Sequence, residues 1–152
     1  MIENAIRPAD LSDLHAIESI ENVAFSADRL SRRSLRNFIA SPRVALLVAE
    51  SKGGISGYAL LAYRKGSQIA RLYSIAIEPG NARRGVGSAL VHACIQDALK
   101  RGCQKLRLEV RVDNSPAIRF YERLGFEVFG HYADYYDDGG AALRLELNLD
   151  RM

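Results

Sequence analysis

The sequence is poor in residues that staple a fold or bind metal. Two cysteines in 152 residues, Cys94 and Cys103, make neither a disulfide framework nor a CxxC pair. Three scattered histidines, His15, His92 and His131, lack zinc-ligand spacing, so no metal site is expected. His92 and Cys94 are two residues apart on a helical stretch and face different ways, which removes a Cys–His dyad. There is no tryptophan, no low-complexity segment and no internal repeat. The longest apolar runs, 44–49 and 58–63, hold six residues each, far below the roughly 20 that span a bilayer. The first 25 residues carry Glu3, Arg7, Asp10, Asp13, Glu18 and Glu21 with no apolar stretch between them. A secretory leader is therefore not expected, and neither is a membrane partner; a cytoplasmic protein is.

What remains is the composition of one ordinary globular domain over 1–152: 48% hydrophobic and 26% charged, with a net charge of +3. A chain of this length buries roughly 70% of its unfolded surface, enough for a core without obligatory partners. Monomer and homodimer both stay open. The slight positive excess leans toward anionic ligands, and a phosphate-bearing cofactor satisfies it without direct nucleic-acid binding.

Hydrophobic period sets the element order. Leu11, Leu14, Ile17 and Ile20 recur at three-residue steps after a short opening strand, predicting a helix that ends near Phe25. A second helix is expected over 31–40, stopped by Ser41-Pro42. Residues 44–50 and 55–64 read as a hairpin around Lys52-Gly53-Gly54, and 69–77 as a third strand closed by Glu78-Pro79-Gly80. The period then changes to 3.6: Val86, Ala89, Leu90, Ala93, Cys94, Ala98 and Leu99 share one face up to Gly102. Leu106, Leu108, Val110 and Val112 alternate with Lys105, Arg107, Glu109 and Arg111, giving a strand with an unusual charged face. Ser115 as N-cap with Pro116 at the first position opens a last helix whose stripe is Ala117, Phe120, Tyr121 and Leu124. Strands over 126–132 and 141–149 close the chain. The pattern describes an α/β (α+β) domain with a mixed, mostly antiparallel central sheet and helices on both faces.

The most specific local feature is the strand, turn and helix start around Arg83-Arg84-Gly85-Val86-Gly87-Ser88. Glycines allow close backbone approach, first-turn N–H groups point outward, and the helix dipole and two arginines add positive charge. A phosphate suits that place, although the same residues also suit a plain helix start with solvated arginines. The dinucleotide fingerprint fails because Leu90 stands where its third glycine belongs, and no P-loop Gly-Lys-Ser/Thr follows.

At this point the sequence resembles the GNAT acyltransferase superfamily, whose turn signature is [QR]-x-x-G-x-[GA]. Four blocks carry the likeness with the family's spacing: Ile75-Ala76-Ile77; Arg83 to Ser88; Leu108-Glu109-Val110-Arg111 with Asn114; and Ala117-Ile118-Arg119-Phe120-Tyr121-Glu122-Arg123-Leu124-Gly125-Phe126. Within the superfamily it is most similar to the bacterial ribosomal-protein-alanine N-acetyltransferases. Ala82 departs from the signature, occupying the Gln or Arg position.

The resemblance implies acetyl transfer from acetyl-CoA to a primary amine inside a ternary complex, on a sheet with one splayed strand pair. It implies that backbone groups of Ile75, Ala76 and Ile77 hold the pantetheine arm, that Arg83, Arg84, Gly85, Val86, Gly87 and Ser88 bind pyrophosphate, and that Asn114 adds a cofactor contact. Glu109 becomes the general base, kept ionised by Arg107 and Arg111 on its own strand face, and Tyr121 the general acid. An α-amine with a pKa near 8 asks less of such a base than a lysine near 10.4. For the acceptor groove, Arg29, Arg32, Arg33 and Arg36 fall on one helical face. Tyr132, Tyr135, Tyr136, Asp137 and Asp138 form the opposite wall; arginines so spaced are more often a solvated helical face, and the tyrosines serve equally as an exposed hairpin loop. The favoured acceptor is a protein or peptide N-terminal α-amine. A small amine such as a polyamine, amino sugar or amino-acid derivative is the alternative, and a non-catalytic CoA-sensing module the rival class.

Overall fold

The computed structural model describes residues 5–25, 30–81 and 85–151. Seven strands, β1 (Ala5–Pro8), β2 (Val44–Ser51), β3 (Gly54–Ala62), β4 (Ile69–Ile77), β5 (Lys105–Arg111), β6 (Glu127–Tyr132) and β7 (Ala142–Asn148), form one sheet in the order β1-β2-β3-β4-β5-β7-β6. Every neighbouring pair is antiparallel except β4 and β5. The helices are α1 (Leu14–Ala24), α2 (Arg32–Ala40), α3 (Val86–Lys100) and α4 (Ser115–Arg123). The mixed sheet and the element order match the expectation from hydrophobic period. No helix among the described residues is long and apolar enough to cross a membrane.

Two cores sit on opposite faces of the sheet. On one, α3 and α4 pack Val86, Leu90, Cys94, Ile95 and Tyr121 against Leu61, Leu72, Leu106, Leu108, Val110 and Leu145. On the other, α1 and α2 pack Leu14, Ile17, Ile20 and Leu35 against Leu46, Val48, Tyr58, Leu60 and Ala76. Each fully buried leucine or isoleucine contributes about 1.5–3 kcal/mol of transfer free energy. The second layer covers only β2, β3 and β4. Beyond it, on β5 and β7, the same face carries Lys105, Arg107, Glu109, Arg111, Arg144 and Glu146, so the charged face of β5 marks where helix cover stops.

A polar tie holds the edge of that cover. Glu21 of α1 is buried, accepts from Tyr58 Oη and, at 3.4 Å, from Ser74 Oγ, and takes the backbone N–H of Leu30 at 2.7 Å. One carboxylate thus joins α1, the start of α2, β3 and β4.

Three local expectations change. Leu11 lies in a 3-10 turn (Leu11–Asp13) and is exposed, because Asp10 caps that turn and α1 begins only at Leu14. Leu99 is exposed too; the buried stripe of α3 instead runs through Val91 and Ile95. Asn114, not Ser115, is the N-cap of α4, its carboxamide oxygen accepting the Ala117 N–H at 3.3 Å, which moves Pro116 to the second helical position. Both residue types cap well, so sequence alone leaves a one-residue ambiguity.

Candidate active site

The parallel pairing of β4 with β5 ends early. Cα partners run from Ile69↔Lys105 to Leu72↔Leu108 and then stop, although β4 continues to Ile77 and β5 to Arg111. The cause is visible on the other edge of β4, where the β3 register shifts between Leu60 and Leu61. Leu60 faces Ser74 while Leu61 faces Leu72, so Tyr73 is the extra residue of a bulge, and a bulge bends its strand. Beyond the bulge Glu78 donates its N–H to Ser56 O of the β3 side at 2.8 Å. Strand alternation then turns the N–H groups of Ile75 and Ile77 the other way, into the gap between β4 and β5.

A cavity of about 280 Å³ opens at this gap on the α3/α4 face, lined by Ile75, Ala76, Ile77, Gly85, Gly87, Ser88, Phe120 and Tyr121. Seven of these eight belong to the residues that the sequence assigns to the site; Phe120, read as core stripe, is the addition. Gly85 is the N-cap of α3 with φ of 75° and ψ of 12°, a left-handed conformation that glycine adopts without steric cost. No side chain among the described residues caps this terminus, so the first-turn N–H groups of Val86, Gly87 and Ser88 lack intrahelical partners beside the cavity that Gly85, Gly87 and Ser88 line. The Val86 side chain itself is fully buried in the core. Arg29, Arg83, Arg84 and Ala82 lie outside the described residues.

Tyr121 lies on the cavity side, 7% exposed, its ring edge-on to Phe120 and Phe126 at 5.2 and 5.6 Å. Its hydroxyl finds no hydrogen-bond partner among the described residues, and burial pushes its pKa above the ordinary phenol value. The proton therefore stays on this oxygen throughout the neutral range. Glu109 points to the opposite face, since its neighbours Leu108 and Val110 belong to the α3/α4 core. Its side chain is 7% exposed.

The partners of Glu109 differ from those expected. Arg107 pairs with Glu146 at 2.7 Å and Arg111 with Asp138 at 3.0 Å. Glu109 is held instead by Arg71 of β4, whose Nε and Nη2 lie 2.8 and 2.6 Å from Oε1. Tyr135 Oη donates to the same oxygen at 3.4 Å and itself accepts from Arg71. Arg144 of β7 stands with Nε 3.9 Å from Oε2. The tyrosines that the resemblance sets at an acceptor groove gather beside Glu109: Tyr135 stacks on Tyr132 at 5.3 Å and meets Tyr136 edge-on at 5.0 Å, with Arg111 over the Tyr136 ring. Arg32 is drawn to Glu18 at 3.0 Å, while Arg33 and Arg36 are exposed on α2. Cys94 is buried and its thiol is pushed up to about 12 by that burial, and Cys103 is buried as well, so neither is a nucleophile. Among the described residues no three metal-ligating side chains gather.

Cavity and carboxylate thus lie on opposite faces of the sheet, on either side of the opening between β4 and β5. Replacing Tyr121 with Phe keeps the ring contacts and removes only the hydroxyl. With Tyr121 as the general acid that the resemblance implies, the expected result is an unchanged melting temperature with kcat lower by about 10²-fold or more, the range of a positioned acid. Loss of folding without a separable rate effect would make Tyr121 structural.

Comparison with known proteins agrees with this geometry. The family described as Acetyltransferase (GNAT) matches residues 12–126. An N-alpha-acetyltransferase of Sulfurisphaera tokodaii is 32% identical over 149 residues, covering 90% of this chain and 88% of that one. The crystal structure of the ribosomal-protein-S18-alanine N-acetyltransferase from Escherichia coli superposes with a TM-score of 0.84 at 30% identity, covering 97% of this chain and 94% of that one. Ard1 from Thermoplasma volcanium gives 0.87 at 26% identity, covering 95% and 97%. With a bulged, splayed strand pair, an uncapped helix start at its mouth and a family match over most of its length, the chain belongs to the acetyltransferase (GNAT) family and is an acyltransferase.

Proposed function

We propose that the enzyme moves an acetyl group from acetyl-CoA to the free α-amine at the N-terminus of a protein or peptide, of the ribosomal-protein kind. The observation that carries this reading is the opening between β4 and β5, which joins a donor cavity on one face to a nearly buried carboxylate on the other. Acetyl-CoA supplies the acetyl group as a thioester. The cavity fits such a group: apolar walls from Ile75, Ile77 and Phe120 suit the pantetheine arm, and the uncapped first turn of α3 suits the diphosphate. Arg83 and Arg84 belong to the same turn by sequence. Asn114 spends its carboxamide oxygen on the α4 cap, which leaves its N–H groups to meet the cofactor.

The Ile75 and Ile77 N–H groups, aimed into the gap, polarise the carbonyl under attack, each worth about 3 kcal/mol. Glu109 takes the proton of the attacking amine, directly or through water, and Tyr121 returns a proton to the departing sulfur. An α-amine suits a carboxylate base because a sizeable part of it is already neutral near pH 7.5. Tyr132, Tyr135, Tyr136 and Arg33 border the side from which a chain end would arrive. A purely CoA-sensing module would not need Glu109 and Tyr121 facing one opening from its two sides. One relative named as an N-alpha-acetyltransferase and one as a ribosomal-protein-S18-alanine N-acetyltransferase support the acceptor class.

The test is a panel of short peptides with free N-termini against a panel of polyamines, amino sugars and amino acids, scored by a gain of about 42 Da, the mass set by acetyl chemistry. Turnover concentrated on peptides is expected. Turnover confined to the small amines would replace this acceptor class.

A further inference from the structure

We propose that Arg71 and Arg144 make this enzyme select acceptors that carry a carboxylate next to the reacting amine; the inference deepens the acetyl-transfer reading above and rests on it. Oε1 of Glu109 is taken by the Nε and Nη2 of Arg71 and by the Tyr135 hydroxyl, Oε2 has Arg144 Nε at 3.9 Å, and only 7% of the side chain reaches solvent. An incoming amine that takes Oε1 displaces part of this set. Arg71, 42% exposed, then keeps water on one side but loses the carboxylate that neutralises it, so an acceptor that brings a replacement anion gains a charge-assisted contact that a neutral one lacks. Arg144 adds to the demand: its Nε is buried without a hydrogen-bond partner among the described residues, and its guanidinium lies between the Phe129 and Tyr132 rings at 4.6 and 4.5 Å.

Among the described ion pairs Glu146 is held by Lys105 and Arg107, and Asp138 by Arg111, so Arg71 and Arg144 share the one carboxylate of Glu109. An acceptor side chain with a carboxylate in the first or second residue would reach Arg71 from an amine at Glu109, because the guanidinium is already within hydrogen-bond distance of that carboxylate. A planar guanidinium meets such an anion with two parallel donors, which an amide or hydroxyl cannot match. The stacked Tyr132 and Tyr135 form the neighbouring wall and place the chain end without reading its charge.

The decisive measurement is kcat/KM for matched acceptors that differ only in charge: peptides with Asp against Asn at position one, the same pair at position two, and aspartate α-amide against asparagine α-amide. The acidic member of at least one peptide pair is expected to exceed its neutral partner by about tenfold or more. In Arg71→Gln, which keeps a donor toward Glu109, the ratio should fall below about threefold, and in Arg144→Leu it should fall partway. Equal or inverted ratios in the wild-type enzyme would overturn the proposal, as would a full preference surviving in both variants. Peptide pairs that stay inert while the small amines turn over would instead overturn the peptide reading, with the charge preference still read from the aspartate pair. No turnover on any acceptor would overturn both.

Discussion

Glu109→Gln is expected to lower kcat by about 10² to 10³-fold at neutral pH while the dissociation constant for acetyl-CoA stays within about twofold. The two effects separate because the residue and the donor cavity lie on different faces of the sheet. Glutamine keeps the shape and one carbonyl oxygen for Arg71 and Tyr135, so the side chain should hold its place. What it loses is the lone pair able to take a proton, and a positioned base contributes roughly 10²–10⁴-fold. The substitution also leaves Arg71 and Arg144 beside each other without their shared anion. Arg71 is 42% exposed, so water screens much of that repulsion and only a small fall in melting temperature is expected. The loss should appear in kcat and kcat/KM together, the pattern of an interaction made in the transition state. A rate within twofold of wild type would refute the base assignment.

The sequence made the fold legible where a period was long and unbroken. Alternation in 105–111 and the 3.6 period after Val86 placed β5 and α3 to within a residue, because each face of those elements meets one environment over most of its length. The cavity wall comes from two short segments, 75–77 and 85–88, plus the Phe120 and Tyr121 pair, and it was the family resemblance and no local period that grouped these segments. Leu11 and Leu99 were misread because a stripe cannot show where its helix starts or leaves the sheet.

The neighbours of Glu109 could not be read the same way. Residues two apart on one strand are separated by about 6.8 Å, whereas directly opposed residues on paired strands are about 5 Å apart. Arg107 and Arg111 share a face with Glu109, yet each has a nearer carboxylate on another strand or loop. Arg144 is the direct cross-strand partner of Glu109, and Arg71 reaches it from a strand 38 residues away. Those contacts depend on the register of β4 and β7 against β5, which no local pattern states. The charged face of β5 was the available signal: arginines on flanking strands at matching parity, Arg71 and Arg144, are the residues it would have flagged.

Gly87→Glu should abolish acetyl-CoA binding while leaving the fold intact. A Cβ at this position would stand 3.4 Å from Phe120 Cζ and 3.9 Å from Ile77 Cδ1, ordinary contact distances, so a methyl group fits. Everything beyond the methyl projects into the 280 Å³ cavity and fills the space the cofactor needs. The new carboxylate would also take the first-turn N–H groups and the positive end of the α3 dipole that a diphosphate would otherwise meet. Glutamate is a better helix former than glycine by roughly 0.5–1 kcal/mol, so the melting temperature should hold or rise slightly. The affinity should fall by at least about 10²-fold, equivalent to about 2.7 kcal/mol. Gly87→Ala separates the causes: it adds the Cβ without charge or length, and its affinity should stay within a few-fold of wild type. Equal losses in both variants would mean that backbone freedom at residue 87 matters more than the space beside it. Micromolar binding retained by Gly87→Glu would remove the diphosphate from the mouth of α3.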